Sequence, residues 1–365
     1  IERRRWYGFW DYGDIMHTYD PARHEWYYDV GGYAWQNTEQ MPTMWFWYMF
    51  LRSGRADLFH LAEAQTRHTS EVDVYHEGPL AGLGSRHNVR HWGGGCKEVR
   101  ISMAGHHRFY YYLTGGDERI GEIMRSVRDA DRATVDVDPM RDFVEDDDHP
   151  THARVAPDWL TFSSNWLTEW ERFEDDQYRE KIETGIDCLA GMPYRMFSGS
   201  TFGYDPETAQ LHHIGDGNYG HTFIHCMGGP QVWPELAALL DDSEFEEMLA
   251  ETGELYLDEE KRYERLPDSV ADSMEKLPMY ATAMAGYAAE RSDDADLGER
   301  VWDLLLYDDE RKIDLPIETE TVEARPRGEL VEIPTAKTNI MSIWSLNVIA
   351  CLDYVGEYLP EPPAE

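Results

Sequence analysis

Residues 82–95 carry two arginines, two histidines, an asparagine and a tryptophan between two glycine-rich flanks. Arg86 and Arg90 offer guanidinium forks for a carboxylate, His87 and His91 can move a proton, and Trp92 presents an indole face to a sugar ring. Asn88 adds a hydroxyl partner, and Lys97 is a reserve cation. The formal charge of the whole chain is -38, so a local cationic cluster stands out. The alternative is a solvated loop whose arginines pair with the many acids.

Three other stretches combine glycine, aromatics and ionisable groups. Residues 6–17 hold Trp10, Asp11 and Asp14. Residues 31–39 hold Tyr33, Trp35, Asn37 and Glu39. Residues 212–221 hold His212, His213, Asp216, Asn218, Tyr219 and His221. His76 follows a run from Arg67. His212 and His213 are adjacent, so only one can point into a given cavity. His68 and His107 fall inside predicted helices, where packed histidines are expected. No HExxH occurs around His87 and His91, which excludes a zincin, and the ligand set for catalytic zinc is incomplete. No GxSxG elbow is present. Paired carboxylates for glycoside hydrolysis are available in Asp11, Asp14, Glu39 and Asp216, so that chemistry stays open.

The elements that position these residues read as helical hairpins. Predicted pairs lie at 38–51 with 56–69, 98–113 with 117–133, 158–173 with 177–189, 221–240 with 243–257, and 276–291 with 295–306. A last helix covers 339–358. Asp117 is expected to cap the fourth helix, and Ser243 with Glu246 matches a capping box. Pro230 and Pro234 break or kink the seventh helix. Turns within pairs are short and links between pairs are long. In a closed ring, the long links converge around one mouth, where functional residues gather. Five and a half pairs fit an all-α (α/α)6 toroid of the six-hairpin type, taken as one domain over residues 1–365. An open stack is the alternative, but the pairs share no repeat signature. Strands are expected to be few, with a hairpin inside 322–333.

Composition sets outer bounds. There are 71 acidic and 33 basic residues, only six of the latter lysines, yet aromatic content is 13 %. Disordered acidic tails lack aromatics, so the chain is folded beneath an acidic skin. Such a skin fits high salt and a halophilic source. It also argues against nucleic acid, which needs a basic face. Four separated cysteines without a CxxC point to free thiols. The acidic run 145–148 lacks the spacing of an EF-hand, and no apolar run is long enough to span a membrane. The chain opens without Met, which reads as a piece of a longer polypeptide whose export signal is unknown.

Tyr7-Gly8-Phe9-Trp10-Asp11-Tyr12-Gly13-Asp14, Gly31-Gly32-Tyr33-Ala34-Trp35, Arg67-His68-Thr69-Ser70-Glu71-Val72-Asp73-Val74-Tyr75-His76 and Arg86-His87-Asn88-Val89-Arg90-His91-Trp92 resemble the exo-acting rhamnogalacturonan lyases of polysaccharide lyase family 26. The likeness is to their α/α-toroid domain, which follows two β-domains. It is strongest over 1–130 and 212–229 and fades after about residue 240. The resemblance implies β-elimination at galacturonate in an acidic polysaccharide, aided by upstream domains of the same polypeptide; hydrolysis of unsaturated uronides and non-catalytic binding of an acidic polysaccharide are the alternatives. It favours a secreted or surface location, with cytoplasmic processing of oligosaccharides as the alternative. Residue chemistry then assigns Arg86 and Arg90 to the carboxylate and His87 or His91 to the base. Tyr33, Tyr219 or His221 is the acid. Trp10, Trp35, Asn37, His76, Asn88, Trp92, Lys97, His213 and Asn218 contact sugar. No metal site or cofactor is expected, calcium being the one alternative.

Overall fold

The structure is a computed structural model that describes residues 15–16, 19–20, 22–23, 25–26, 35–36, 40–85, 97–141, 143–144, 148–215, 224–272, 274, 277–307, 320–324, 328–332 and 338–361. Four two-residue strands come first: β1 (Ile15–Met16), β2 (Tyr19–Asp20), β3 (Glu25–Trp26) and β4 (Trp35–Gln36). β1 pairs with β4 and β2 with β3, both antiparallel. Helices α1 (Pro42–Ser53) and α2 (Ala56–Glu71) follow. Strands β5 (Gly84–Ser85) and β6 (Lys97–Glu98) lead into 3₁₀ turns and α3 (Arg108–Leu113). Next come α4 (Glu118–Ser126), β7 (Thr151–Arg154), α5 (Leu160–Phe173) and α6 (Asp176–Ala190). Then β8 (Thr201–Asp205), β9 (Gln210–His213), α7 (Gly229–Leu240), α8 (Ser243–Leu257), α9 (Glu259–Arg265) and α10 (Asp268–Ala271) complete the middle. The chain ends with α11 (Thr282–Ser292), α12 (Ala295–Leu306), β10 (Glu320–Ala324), β11 (Gly328–Glu332) and α13 (Thr338–Tyr354).

Hairpin partners pack on each other, α1 on α2, α5 on α6, α7 on α8 and α11 on α12, and successive hairpins meet side by side. Closure of the ring is direct: α1 packs on α13, and the Ser342 hydroxyl donates to the Gln40 carbonyl at 2.6 Å. The Asn347 amide donates to the Met279 carbonyl at 2.9 Å, tying α13 to the start of α11. Buried Trp47, Trp159, Trp166, Trp233 and Trp302 fill the space between helices. The toroid is therefore observed as expected.

Three of the short turns repeat one device. Glu174, Asp241 and Asp293 close α5, α7 and α11 in the left-handed conformation, with φ of 55° each. The next residue, Asp175, Asp242 or Asp294, is extended and accepts a backbone N–H from the following helix. Ser243 is thus the first residue of α8, not its cap. The Asp242 carboxylate takes the Phe245 N–H at 2.9 Å, so a simple aspartate cap one residue earlier replaces the expected box, the phenyl of Phe245 being unable to reciprocate. Asp117 caps α4 as expected.

Several helices are shorter than their periodicity implies. The α3 region begins with 3₁₀ turns at Val99–Ser102 and Ala104–His106. Pro230 sits in the first turn of α7, where a missing N–H costs nothing, so this helix starts at Gly229 rather than near 221. Pro234 lies inside it without ending it. The sheet β7–β8–β9 was not foreseen. It joins the two links 134–157 and 190–220, with Thr151 opposite Tyr204 and Phe202 opposite His213. The expected late hairpin is β10 with β11.

Candidate functional site

The arginine–histidine segment is held at both ends. Gly84 pairs with Glu98 and Ser85 with Lys97, so β5 and β6 bring the two flanks of 86–96 side by side. Gly84 also bridges Val74. The glycines before the segment are steric requirements rather than hinges. Gly82 has φ +87°, and a Cβ there would meet the Ala130 methyl at 2.9 Å. A Cβ on Gly84 would sit 2.3 Å from the Ile101 Cβ and 3.0 Å from the Asp73 carbonyl. The Ser102 hydroxyl donates to the Gly82 carbonyl at 2.6 Å.

Behind this base runs a chain of alternating charges. Arg100 Nε meets Glu98 at 2.5 Å. Glu98 meets Arg154 at 3.7 Å. Arg154 grips Asp158 with Nε at 2.7 Å and a terminal nitrogen at 3.0 Å. Arg154 also donates its backbone N–H to the same carboxylate at 2.8 Å. Glu98, Arg100 and Asp158 are buried, so each charge depends on its neighbour. The chain ties β6 to the residues that open α5. Arg100 reaches Met227 Sδ at 2.9 Å, which ties it also to the residues before α7. No sequence motif announces this arrangement; the one trace is the i,i+4 spacing of Arg154 and Asp158.

The run Arg67–His76 serves as a brace. Arg67 bonds Asp117 at 2.5 Å and Glu71 at 3.0 Å, clamping α2 to the cap of α4. His68 is fully buried, 3.6 Å from Asp73, as a packed histidine should be. His76 Nε2 bonds the Glu71 carbonyl at 3.1 Å and so closes the end of α2. This partly buried imidazole was expected to contact sugar, and one of its nitrogens is taken by the backbone. His107 is also buried, ahead of α3 rather than within a helix, and burial lowers its imidazole to about 3. His106, equally buried, is lowered strongly by burial and by its neighbour His107.

On the sheet, His213 ends β9 and is exposed, whereas His212 stacks on His149 at 5.0 Å. Strand alternation sends the adjacent pair to opposite faces. His152 bonds Asp138 at 2.7 Å, and Asp131 holds both Lys181 and the Tyr204 hydroxyl at 2.9 Å. Burial raises the Asp131 carboxyl despite Lys181.

Arg86, His87, Asn88, Arg90, His91, Trp92, Tyr33, Trp10, Asn37, Asn218, Tyr219 and His221 lie outside the described residues. So do Asp11, Asp14, Glu39 and Asp216. Trp35 and Lys97 are placed by their strands β4 and β6 alone. The structure therefore describes only the flanks of these stretches: the β5–β6 pair on either side of 86–96, and residues 215 and 224 on either side of the 216–223 link. Among the described residues, no helix is long and apolar enough to cross a membrane.

Three similarities bear on identity. The model of a family described as "PcRGLX-like protein C-terminal alpha/alpha toroid domain" matches residues 1–360, so the likeness does not fade at 240. "Uncharacterized protein YetA" of Bacillus subtilis (strain 168) is 56 % identical over 363 residues. This is 99 % of the chain but 42 % of that protein, so the chain spans under half of its relative. A Bacillus relative gives no support to the halophilic source expected from the acidic skin. Among solved structures, an unsaturated glucuronyl hydrolase from Bacillus sp. GL1, described as responsible for glycosaminoglycan degradation, superposes with a TM-score of 0.51 at 12 % identity. The match covers 95 % of this chain and 92 % of that one, and it agrees with the ring closure seen between α1 and α13. Taken with that ring, the match over nearly the whole length places the chain in the PcRGLX-like C-terminal alpha/alpha toroid domain family.

Proposed function

We propose that the chain is the toroid domain of a carbohydrate-active enzyme that cleaves a galacturonate-containing polysaccharide, of the rhamnogalacturonan kind, by β-elimination. The observation that carries this reading is the β5–β6 base. A rigid, ion-braced platform holds both flanks of a segment whose composition suits uronate chemistry, in a family of toroids. Pure sugar binding needs aromatics and hydroxyl partners, not paired arginines and histidines between fixed ends.

In this reading Arg86 and Arg90 neutralise the uronate carboxylate, which acidifies the C5 proton. His87 or His91 removes that proton. Tyr33, Tyr219 or His221 protonates the departing O4, and Trp35 and Trp92 stack on sugar faces. Asn37 and Asn88 bond hydroxyls, with Trp10, His76, Lys97, His213 and Asn218 at the margins. The arginines supply the positive charge, so no calcium is required. The toroid works with upstream domains of the same polypeptide, outside the cell or at its surface.

The test is ultraviolet absorbance of the C4–C5 unsaturated uronate when the full-length protein meets rhamnogalacturonan. Absorbance should rise. His87→Ala or His91→Ala, whichever removes the base, should slow it by about 10²–10⁴-fold, and EDTA should leave it unchanged. New reducing ends without absorbance would refute elimination.

A second reading is hydrolysis of an unsaturated uronide, favoured by the hydrolase whose fold this chain shares. Loss of a pre-formed unsaturated absorbance, dependent on Asp11, Asp14, Glu39 or Asp216, would establish it.

A further inference from the structure

A cavity of about 770 Å³ lies between α1, α7, α11 and α13. Its deep wall is apolar, with Pro230 and Leu346 buried. Its rim carries Arg52, Glu290 and Asp353, all exposed, in the last turns of α1, α11 and α13. The rim therefore lies at the ends of α1 and α11 that lead into short turns. Among the described residues, none of those assigned above to uronate chemistry lines it.

Its chemistry is that of an acceptor-rich pocket. Tyr48, Tyr287 and Tyr354 form an aromatic wall, the last two edge to face at 5.4 Å. The hydroxyls of Tyr48 and Tyr354 have no hydrogen-bond partner among the described residues. Two nearby guanidiniums are already engaged: Arg108 makes a bidentate pair with Glu235, and Arg291 holds Glu246 at 2.8 Å. Glu290 and Asp353 remain as carboxylates. Burial and the charge of Asp353 both push the Glu290 carboxyl up. The C-terminal ends of three helices add their negative dipole ends. Pro234, inside α7, has no N–H for the Pro230 carbonyl one turn back, which leaves a further acceptor on a turn that lines the cavity.

Glu290 and Asp353 outnumber Arg52, the one lining guanidinium without an ion pair among the described residues, so a uronate or phosphate is disfavoured here. A molecule bearing many hydroxyls and no charge would donate to these acceptors, accept from the tyrosines and lay its apolar face on their rings. The volume falls among those of small-ligand pockets, about 300–1,000 Å³. We propose that this cavity is a second carbohydrate site, specific for a short neutral saccharide and separate from the uronate site. It does not depend on the elimination reading.

The test is calorimetric titration of the full-length protein with maltotriose, galactotriose and arabinotriose, and with digalacturonate and putrescine as charged controls. At least one neutral trisaccharide should bind. Tyr48→Phe and Tyr354→Phe should each weaken it about tenfold without lowering the melting temperature. The same binding should persist in His87→Ala and His91→Ala, which separates this site from the uronate site whatever those variants do to cleavage. Binding of putrescine alone would replace the saccharide by an amine. Failure of all three neutral sugars, or affinity indifferent to both tyrosine variants, would overturn the proposal.

Discussion

Asp158 illustrates what the site region asks of single residues. Its carboxylate is fully buried and takes three hydrogen bonds from Arg154. Asp158→Asn leaves the guanidinium with half a partner and removes the last carboxylate of the charge chain that runs through Arg154 to Glu98. Loss of one member of a buried pair costs about 3–5 kcal/mol, so urea denaturation should show a fall of that size. Because Arg154 also meets Glu98 of β6, the proposed cleavage at saturating substrate should fall beyond what unfolding explains. Gly84→Ala is the steric counterpart. With Ile101 at 2.3 Å from the new methyl, overpacking should cost about 1–3 kcal/mol. Neither residue's role was legible in the sequence. Glycine there reads as flexibility, yet the structure uses it for lack of volume. Asp158 reads as one acid among 71, because pairing across distant links leaves no local pattern. By contrast, His68 was legible as a packed side chain because it falls inside a predicted helix, and His107 is buried too although it precedes α3.

At the level of helices, most hairpins were readable because amphipathic spacing and turn chemistry agree. The ends were less readable where 3₁₀ turns replace the first α-helical turn, as before α3 and α11. The repeated acid pair at the short turns allows a gain of stability. Glu174, Asp241 and Asp293 bear the strain of φ near +55°, which glycine escapes at some cost in unfolded-state entropy. Asp241→Gly should raise stability by about 1 kcal/mol, seen as a higher denaturant midpoint at unchanged slope. Asp117 ties helix capping to acidity. Burial acts to raise its carboxyl, but the Ile120 N–H and the Arg67 guanidinium outweigh it and hold the group below the usual range. A depressed carboxyl stabilises the fold above its unfolded pKa and loses that contribution as pH falls through its folded value. Asp117→Asn keeps a capping side chain but removes the charge. Its stability should therefore fall less steeply than the parent's between neutral pH and about pH 3. Equal slopes would show that the charge is not coupled to folding. Gly253 marks a close helix contact: a Cβ there would lie 2.2 Å from the Met284 carbonyl carbon of α11. Alanine at this position would have to push the backbones of α8 and α11 apart.

For the molecule as a whole, the ring was legible from the alternation of short turns and long links. The three-stranded sheet was not, because its strands come from two separate links and only their tertiary pairing makes them strands. The charge of -38 is a property of the entire surface. Self-repulsion of this kind is screened with a length of about 10 Å at 0.1 M salt and about 3 Å at 1 M. The melting temperature should therefore rise between those salt concentrations, and a flat response would show that ion pairs such as Arg67–Asp117 already offset the repulsion. Such a response concerns the molecule and needs no saline habitat. A different consequence follows from the β5–β6 base. With Ser85 and Lys97 already opposite each other, the intervening eleven residues (86 to 96) can be exchanged without asking the toroid to close a new gap. Replacing them by an Asn-Gly turn suited to a two-residue hairpin should yield a folded ring that lacks the proposed elimination. The same join offers a place to transplant segments from other toroids, so that this stretch can be shuffled as a cassette while the scaffold stays constant.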